Sequence, residues 1–123
     1  MSTIENYTER IAEGAKLAFN RAEEMQAHSV GYYLISEEPK FADHFIVLNV
    51  DSPRLMRAVS EDIKKNLKTF NLTLHHDEGD RNSGWVLLDY GDLVIHIFAE
   101  EFREFYSIDS LLEEKGTLVK FIP

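Results

Sequence analysis

Apolar residues near the start of the chain recur every three or four places: Ile4, Tyr7, Ile11, Ala15, Ala18, Ala22 and Met25. That period marks one helical face and predicts an amphipathic helix over residues 3–27. Ser2 and Glu5 have the spacing of a capping box, in which each side chain satisfies an orphan backbone N–H at the helix start. Gly14 weakens the middle of this helix by about 1 kcal/mol relative to Ala. The period then changes. Residues 30–36 are rich in Tyr, Leu and Ile, and residues 44–50 are almost continuously apolar. Both read as strands, the second as a central strand covered on both faces. The link Glu37-Glu38-Pro39-Lys40 between them reads as a turn. The helical period returns at residues 52–70. Ser52 is a good N-cap, Pro53 suits the first helical position, and Leu55, Met56, Val59, Ile63, Leu67 and Phe70 form the buried stripe.

The second half is predominantly β. Residues 72–76 are expected to form a short strand and residues 77–84 a polar loop. Two strands, 85–89 and 92–99, flank Tyr90-Gly91, and Gly91 supplies the positive φ that a two-residue hairpin turn requires. One or two short helices fill residues 100–115, Gly116 ends them, and residues 118–122 form an apolar tail. No repeat or Gly/Ser linker divides the chain, so a single domain over residues 1–123 is expected. The order predicts an α/β fold: a mixed β-sheet of about five strands with flanking helices and one right-handed parallel crossover.

A Tyr90-Gly91 turn sets the hairpin register. It pairs Asp89 with Asp92, Leu88 with Leu93, Leu87 with Val94, Val86 with Ile95 and Trp85 with His96. Side chains alternate between faces. One face then carries Val86, Leu88, Leu93, Ile95 and Ile97, which is core. The other carries Trp85, Leu87, Asp89, Asp92, Val94, His96 and Phe98. Two carboxylates opposite each other repel, so a fold gains nothing from that pairing. Either Asp89 caps the turn, as Asp commonly does, or this face serves a partner for which Trp and Tyr supply contact area.

Charge sharpens the second option. The chain holds 22 Asp plus Glu against 13 Lys plus Arg, a formal net charge of −9. Residues 77–104 contain eight acids and two bases, net −6, whereas residues 52–70 contain five bases and two acids, net +3. The protein is electrically lopsided. An acidic surface repels nucleic acid phosphates and favours a basic partner. There is no cysteine, hence no disulfide, thiol nucleophile or cysteine zinc site. No apolar run reaches the roughly 20 residues that span a bilayer, and no signal-peptide pattern opens the sequence, so a cytoplasmic protein is expected.

Catalytic patterns are sparse. The neighbours His75 and His76 point to opposite faces of a strand and make poor joint ligands. Residues 77–80 do not fit the alternating oxygen ligands of a calcium loop in either register. There is no P-loop, no G-x-G-x-x-G, no G-x-S-x-G and no D-x-D. No cofactor or metal is expected.

The stretch Trp85-Val-Leu-Leu-Asp89-Tyr-Gly91-Asp92, followed by His96 and by Glu101-x-Arg103-x-Phe105-Tyr106, resembles the signature of the ribosomal silencing factor family, also called Iojap-related. Glu78-Gly79 and Asp43-His44-Phe45 are similar to its upstream motifs. Asn49-Val50-Asp51-Ser52 and Leu111-Leu112 depart from the pattern. The resemblance implies a nucleotidyltransferase-like fold without the catalytic carboxylates, and a non-enzymatic repressor of translation. It implies docking on the large ribosomal subunit through its fourteenth protein, which is basic, and a block to joining of the small subunit. On this reading Asp89, Asp92 and Glu101 meet basic residues of the partner, and Trp85 or Tyr90 gives apolar contact. Arg103 orders the surface by pairing with a nearby carboxylate, and Glu78 and His96 complete the partner-binding set. Direct nucleic acid contact is expected to be minor. Two alternatives stay open: a nucleotide-handling enzyme using Glu78, Asp89, Asp92 and His96, and a homodimeric scaffold.

Overall fold

The computed structural model describes residues 6–40, 42–80 and 84–123. In order these form α1 (Tyr7–Glu24), β1 (His28–Ile35), β2 (His44–Val50), α2 (Pro53–Thr69), β3 (His76–Asp80), β4 (Trp85–Asp89), β5 (Leu93–Ala99), α3 (Glu100–Tyr106), α4 (Ile108–Lys115) and β6 (Gly116–Ile122). The six strands make one mixed sheet in the order β3-β4-β5-β2-β1-β6. The α/β class and flanking helices are as predicted, with six strands in place of about five. β2 and β5 run parallel, and the other paired strands run antiparallel. The apolar run of β2 thus sits inside the sheet, as a strand buried on both faces should.

The first helix is shorter than predicted. The proposed Ser2–Glu5 capping box lies outside the described residues. Asn6 is the N-cap, its side-chain oxygen accepting from the backbone N–H groups of Thr8 and Glu9. Ser52 caps α2 as expected, accepting from Leu55 N–H at 3.1 Å, with Pro53 in the first turn. Ile11, Ala15, Ala18, Phe19 and Ala22 of α1 and Met56, Val59, Ile63 and Leu67 of α2 pack on one sheet face against Ile46, Leu48, Val86, Leu88, Ile95 and Ile97. Gly14 is more than a weak point: a Cβ there would lie 2.4 Å from Leu72 Cδ1, so the glycine lets the chain after α2 close against α1.

Two segments differ from expectation. The expected strand over 72–76 is irregular apart from its last residue, and the expected polar loop contains β3 instead. Strand β3 is polar because it lies at the sheet edge with every residue exposed, so no apolar alternation marks it. The expected tail is β6, held antiparallel along β1 at the opposite edge. Gly79 adopts φ +95 within β3, and a Cβ there would lie 2.2 Å from the backbone oxygen of Trp85. Both faults strike Gly79→Ala, which is expected to cost about 2–3 kcal/mol. Chemical denaturation of the variant against the wild type checks this.

Candidate functional site

The hairpin turn sits one residue later than predicted. Tyr90 N–H donates to Leu93 O at 2.8 Å, so Gly91 and Asp92 form the turn, with Gly91 at φ +90. Asp89 therefore pairs with Val94, Leu87 with His96 and Trp85 with Phe98. Every partner moves by two positions, so side chains keep their predicted faces while the Asp89–Asp92 opposition disappears. Asp89 Oδ1 accepts the Gly91 N–H at 2.8 Å, the turn-capping role for an Asp at this place.

Tyr90 is a correction: it is core, 3% exposed, and is not available for surface contact. Burial pushes its phenol up to about 12, with Asp77 adding to the shift. Its hydroxyl is buried without a hydrogen-bond partner among the described residues. Removing such a group relieves a desolvation cost, so Tyr90→Phe is expected to raise stability by about 1 kcal/mol, read from the denaturant midpoint.

The second sheet face is only partly covered. Helices α3 and α4 pack over Tyr33, Ile35, Val47 and Phe98 through Phe102, Ile108 and Leu112. Beside them an open depression of about 220 Å³ is lined by Trp85, His96, Phe98, Tyr106 and Ile108. The Trp85 and His96 rings stack 6.1 Å apart at 15°, and His96 stacks on Phe98 at 5.8 Å and Phe45 at 6.0 Å. Trp85 Nε1–H donates to His96 Nδ1 at 3.1 Å, which requires that nitrogen to be unprotonated. The indole edge is thereby fixed, and Trp85 is only partly buried. Tyr106, 56% exposed, forms an outer wall.

Burial pushes the His96 imidazole down to about 4. In the unfolded chain it titrates near 6.5, so between these values the unfolded state takes up a proton that the fold refuses. Its contribution is complete above pH ~6.5 and is lost as pH falls toward 4, by up to about 3 kcal/mol. His44 acts in the same direction, lowered by burial against the opposing charges of Asp43 and Asp92. Denaturation midpoints between pH 4 and 8 should fall with acid, and less steeply in His96→Gln.

Arg103 supports this surface from below. It is 7% exposed. Its Nε and one terminal nitrogen donate to the two oxygens of Asp109 at 2.8 and 2.9 Å. The other terminal nitrogen donates to Asn49 Oδ1 at 3.0 Å and to Ser29 O. Tyr33 donates its hydroxyl to Asp109 Oδ1 at 2.6 Å. Burial works to raise the Asp109 carboxyl, but the Arg103 and Tyr33 hydrogen bonds and the Arg103 charge outweigh it and hold the pKa below the ordinary value. Tyr33 moves up, through burial first and then the Asp109 bond. The pairing of Arg103 with a nearby carboxylate is as expected. Its partner, across the helix break at Ser107, was not legible.

The other candidates lie apart. Trp85 and Asp89 share a face but stand about 13 Å apart along β4. Glu78 is exposed on β3, with its carboxylate 3.9 Å from His76 Nδ1. Asp92 lies beside the Tyr7 hydroxyl, whose pKa is raised by burial and by that carboxylate. Glu101 is exposed in the first turn of α3. Glu78, Asp89, Asp92 and His96 do not converge, and among the described residues no three acidic or histidine side chains could hold a metal ion.

The sequence of residues 8–121 matches the family model described as "Ribosomal silencing factor during starvation". The chain belongs to this family. Relatives named ribosomal silencing factor RsfS include one from Halalkalibacterium halodurans, 26% identical over 84% of this chain and 88% of its own length. Another, from Chromobacterium violaceum, is 29% identical over 82% and 83%. The chain is also 28% identical to the protein Iojap of Zea mays chloroplasts, over 72% of this chain and 38% of that one. A crystal structure of a Chromobacterium violaceum protein superposes with a TM-score of 0.78 at 28% identity, covering 90% of this chain and 91% of that one. A second, from Bacillus halodurans, gives 0.69 at 27% identity, covering 81% and 93%. The matched span includes the Trp85–His96 stack, the Asp89–Gly91 turn and the Arg103 lock. No described helix is long and apolar enough to cross a membrane.

Proposed function

We propose that this silencing factor represses translation without enzymatic chemistry. It binds the large ribosomal subunit through that subunit's fourteenth protein and blocks joining of the small subunit. The observation that supports this reading is the aromatic depression. An open apolar hollow is walled by a partly buried Trp85 and an exposed Tyr106, with the acidic side chain of Glu101 on the adjoining helix. Aromatic anchors with a charged surround are the usual make-up of a protein-binding hot spot. The net acidity of residues 77–104 favours a basic partner over bare RNA. Trp85 and Tyr106 give the apolar contact, with His96 fixing the indole. Glu101 on α3 supplies negative charge beside it, and Glu78 on the edge strand and Asp92 in the hairpin turn add charge farther away. Asp89, Tyr90 and Arg103 act from within, as turn, core and lock.

The test is sedimentation with purified large subunits. The wild type comigrates, and Glu101→Lys in combination with Asp92→Lys comigrates at least tenfold less at equal concentration. A wild type that stays in the supernatant, or a double variant that binds undiminished, contradicts the reading. Light scattering with and without the isolated fourteenth protein separates this from homodimerisation. A dimer that persists unchanged in the presence of that protein speaks for the scaffold.

A further inference from the structure

The outward face of α2 carries an array of cations that the fold does not use. Arg54, Arg57, Lys65 and Lys68 are all exposed. At 100° per residue they fall within an arc of about 80°, opposite the buried stripe, and extend about 21 Å along the axis. Glu61 lies in the same arc but is paired with Lys64 at 2.9 Å, and Lys64 also reaches Asp77 at 2.7 Å. Asp62, the helix's other acid, is held by Arg21 of α1 at 2.7 Å. Both acids of α2 are therefore engaged by cations outside the strip. Among the described residues no ion pair is formed by Arg54, Arg57, Lys65 or Lys68. Arg54 moreover stands in the first turn, where the helix dipole disfavours a positive charge, and no acid offsets it there.

We propose that this strip is a docking surface for the phosphate backbone of RNA. The inference rests on the ribosome-directed reading, which brings the protein next to RNA. Four exposed cations with no ion-pair partner among the described residues, aligned over about 21 Å, match the spacing of several successive phosphates and carry no base-reading geometry. The contact is sequence-independent. It lies on the opposite side of the sheet from the Trp85 depression, which α3 and α4 flank, so one protein bridges a basic protein on one side and RNA on the other. The exposed acids of the neighbouring α1, among them Glu9, Glu23 and Glu24, confine the RNA to α2.

The test compares the wild type with Arg57→Glu plus Lys65→Glu in three titrations between 50 and 300 mM salt. The probes are purified large subunits, the isolated fourteenth protein and a short RNA duplex. For subunits, the double variant should bind at least tenfold more weakly at low salt. Its slope of log K against log salt should be shallower by about 1–2, since each lost phosphate contact removes about 0.7–0.9. For the isolated protein, the two should bind alike. For the RNA duplex, weak salt-sensitive binding by the wild type should vanish in the variant. Equal slopes on subunits and equal duplex binding overturn the strip. A parallel loss on the isolated protein reassigns α2 to protein contact and overturns it too. So does wild-type self-association at low salt that the variant abolishes, which points to the acidic side of a second copy. A wild type that binds neither subunits nor the isolated protein, yet binds the duplex in a salt-sensitive way that the variant loses, defeats the ribosomal reading and leaves the strip standing.

Discussion

Arg103→Ala is expected to lower the unfolding free energy by about 3–5 kcal/mol, the largest stability effect of any single change considered for this chain. The guanidinium ties four elements together: α3, which carries it, α4 through Asp109, β2 through Asn49 and β1 through Ser29. Truncation leaves the Asp109 carboxylate partly buried beside Tyr33 with no counter-charge, and leaves Asn49 and the Ser29 carbonyl short of a donor. A buried pair contributes little when intact, but losing one partner strands the other. Arg103→Lys keeps the charge and loses the two-pronged bond, so it should recover only part of the loss. Acid weakens the same lock. Asp109 is held below its ordinary pKa, so its contribution is present above about pH 4 and disappears as pH falls further. Urea titration of the three proteins at pH 7 measures the effect. Because Tyr106 and Ile108 lie between Arg103 and Asp109, the variant should also bind large subunits poorly at temperatures where it remains folded.

Trp85→Ala is expected to weaken subunit binding by at least thirtyfold, or about 2 kcal/mol, while the protein stays folded. Trp85 lines the depression, stacked on His96 and within 6.4 Å of the Phe98 and Tyr106 ring centres. Truncating it enlarges the hollow and removes the anchor. It also strands His96 Nδ1, although solvent can reach that nitrogen once the indole is gone. Trp85→Phe keeps the ring and loses the hydrogen bond to His96, and should fall between the two. Sedimentation binding curves, with thermal melts as a control on folding, read both effects.

The fold was largely legible because its strongest periodicities are those of buried elements. The stripes of α1 and α2, the continuous run of β2 and the Ser52-Pro53 start each express a local rule that tertiary packing does not overturn. Strand β3 was not legible: an edge strand with every side chain exposed has no apolar alternation, and its hydrogen bonds come from β4, not from local preference. Strand β6 read as a tail for a related reason, since its role depends on β1, more than 80 residues away in sequence. The hairpin turn was misplaced by one residue because both Tyr90-Gly91 and Gly91-Asp92 offer Gly91 to a tight turn. The choice falls to Tyr90, whose ring is buried in the core.

The site divides in the same way. Alternation along β4 and β5 placed Trp85, His96 and Phe98 on one face, and a shift of two in register could not disturb that. The contribution of Ile108 and the Arg103–Asp109 pair depend on how α3 turns into α4 at Ser107, which holds φ +51. Nothing in the spacing of Arg103 and Asp109 announces that turn. The acidic bias of residues 77–104 was real as a sum but not as a cluster, for its carboxylates are spread over β3, the turn and α3.

Trp85 is the chain's only tryptophan, so its fluorescence reports directly on the proposed docking surface. The decisive measurement titrates the protein with the isolated fourteenth protein of the large subunit, following Trp85 emission and its quenching by acrylamide alongside an independent sedimentation readout. Docking at the depression predicts a saturable one-to-one blue shift and a drop in quenching, with the same midpoint in both readouts. Complex formation that leaves Trp85 emission and quenching unchanged, or no complex at all, contradicts it.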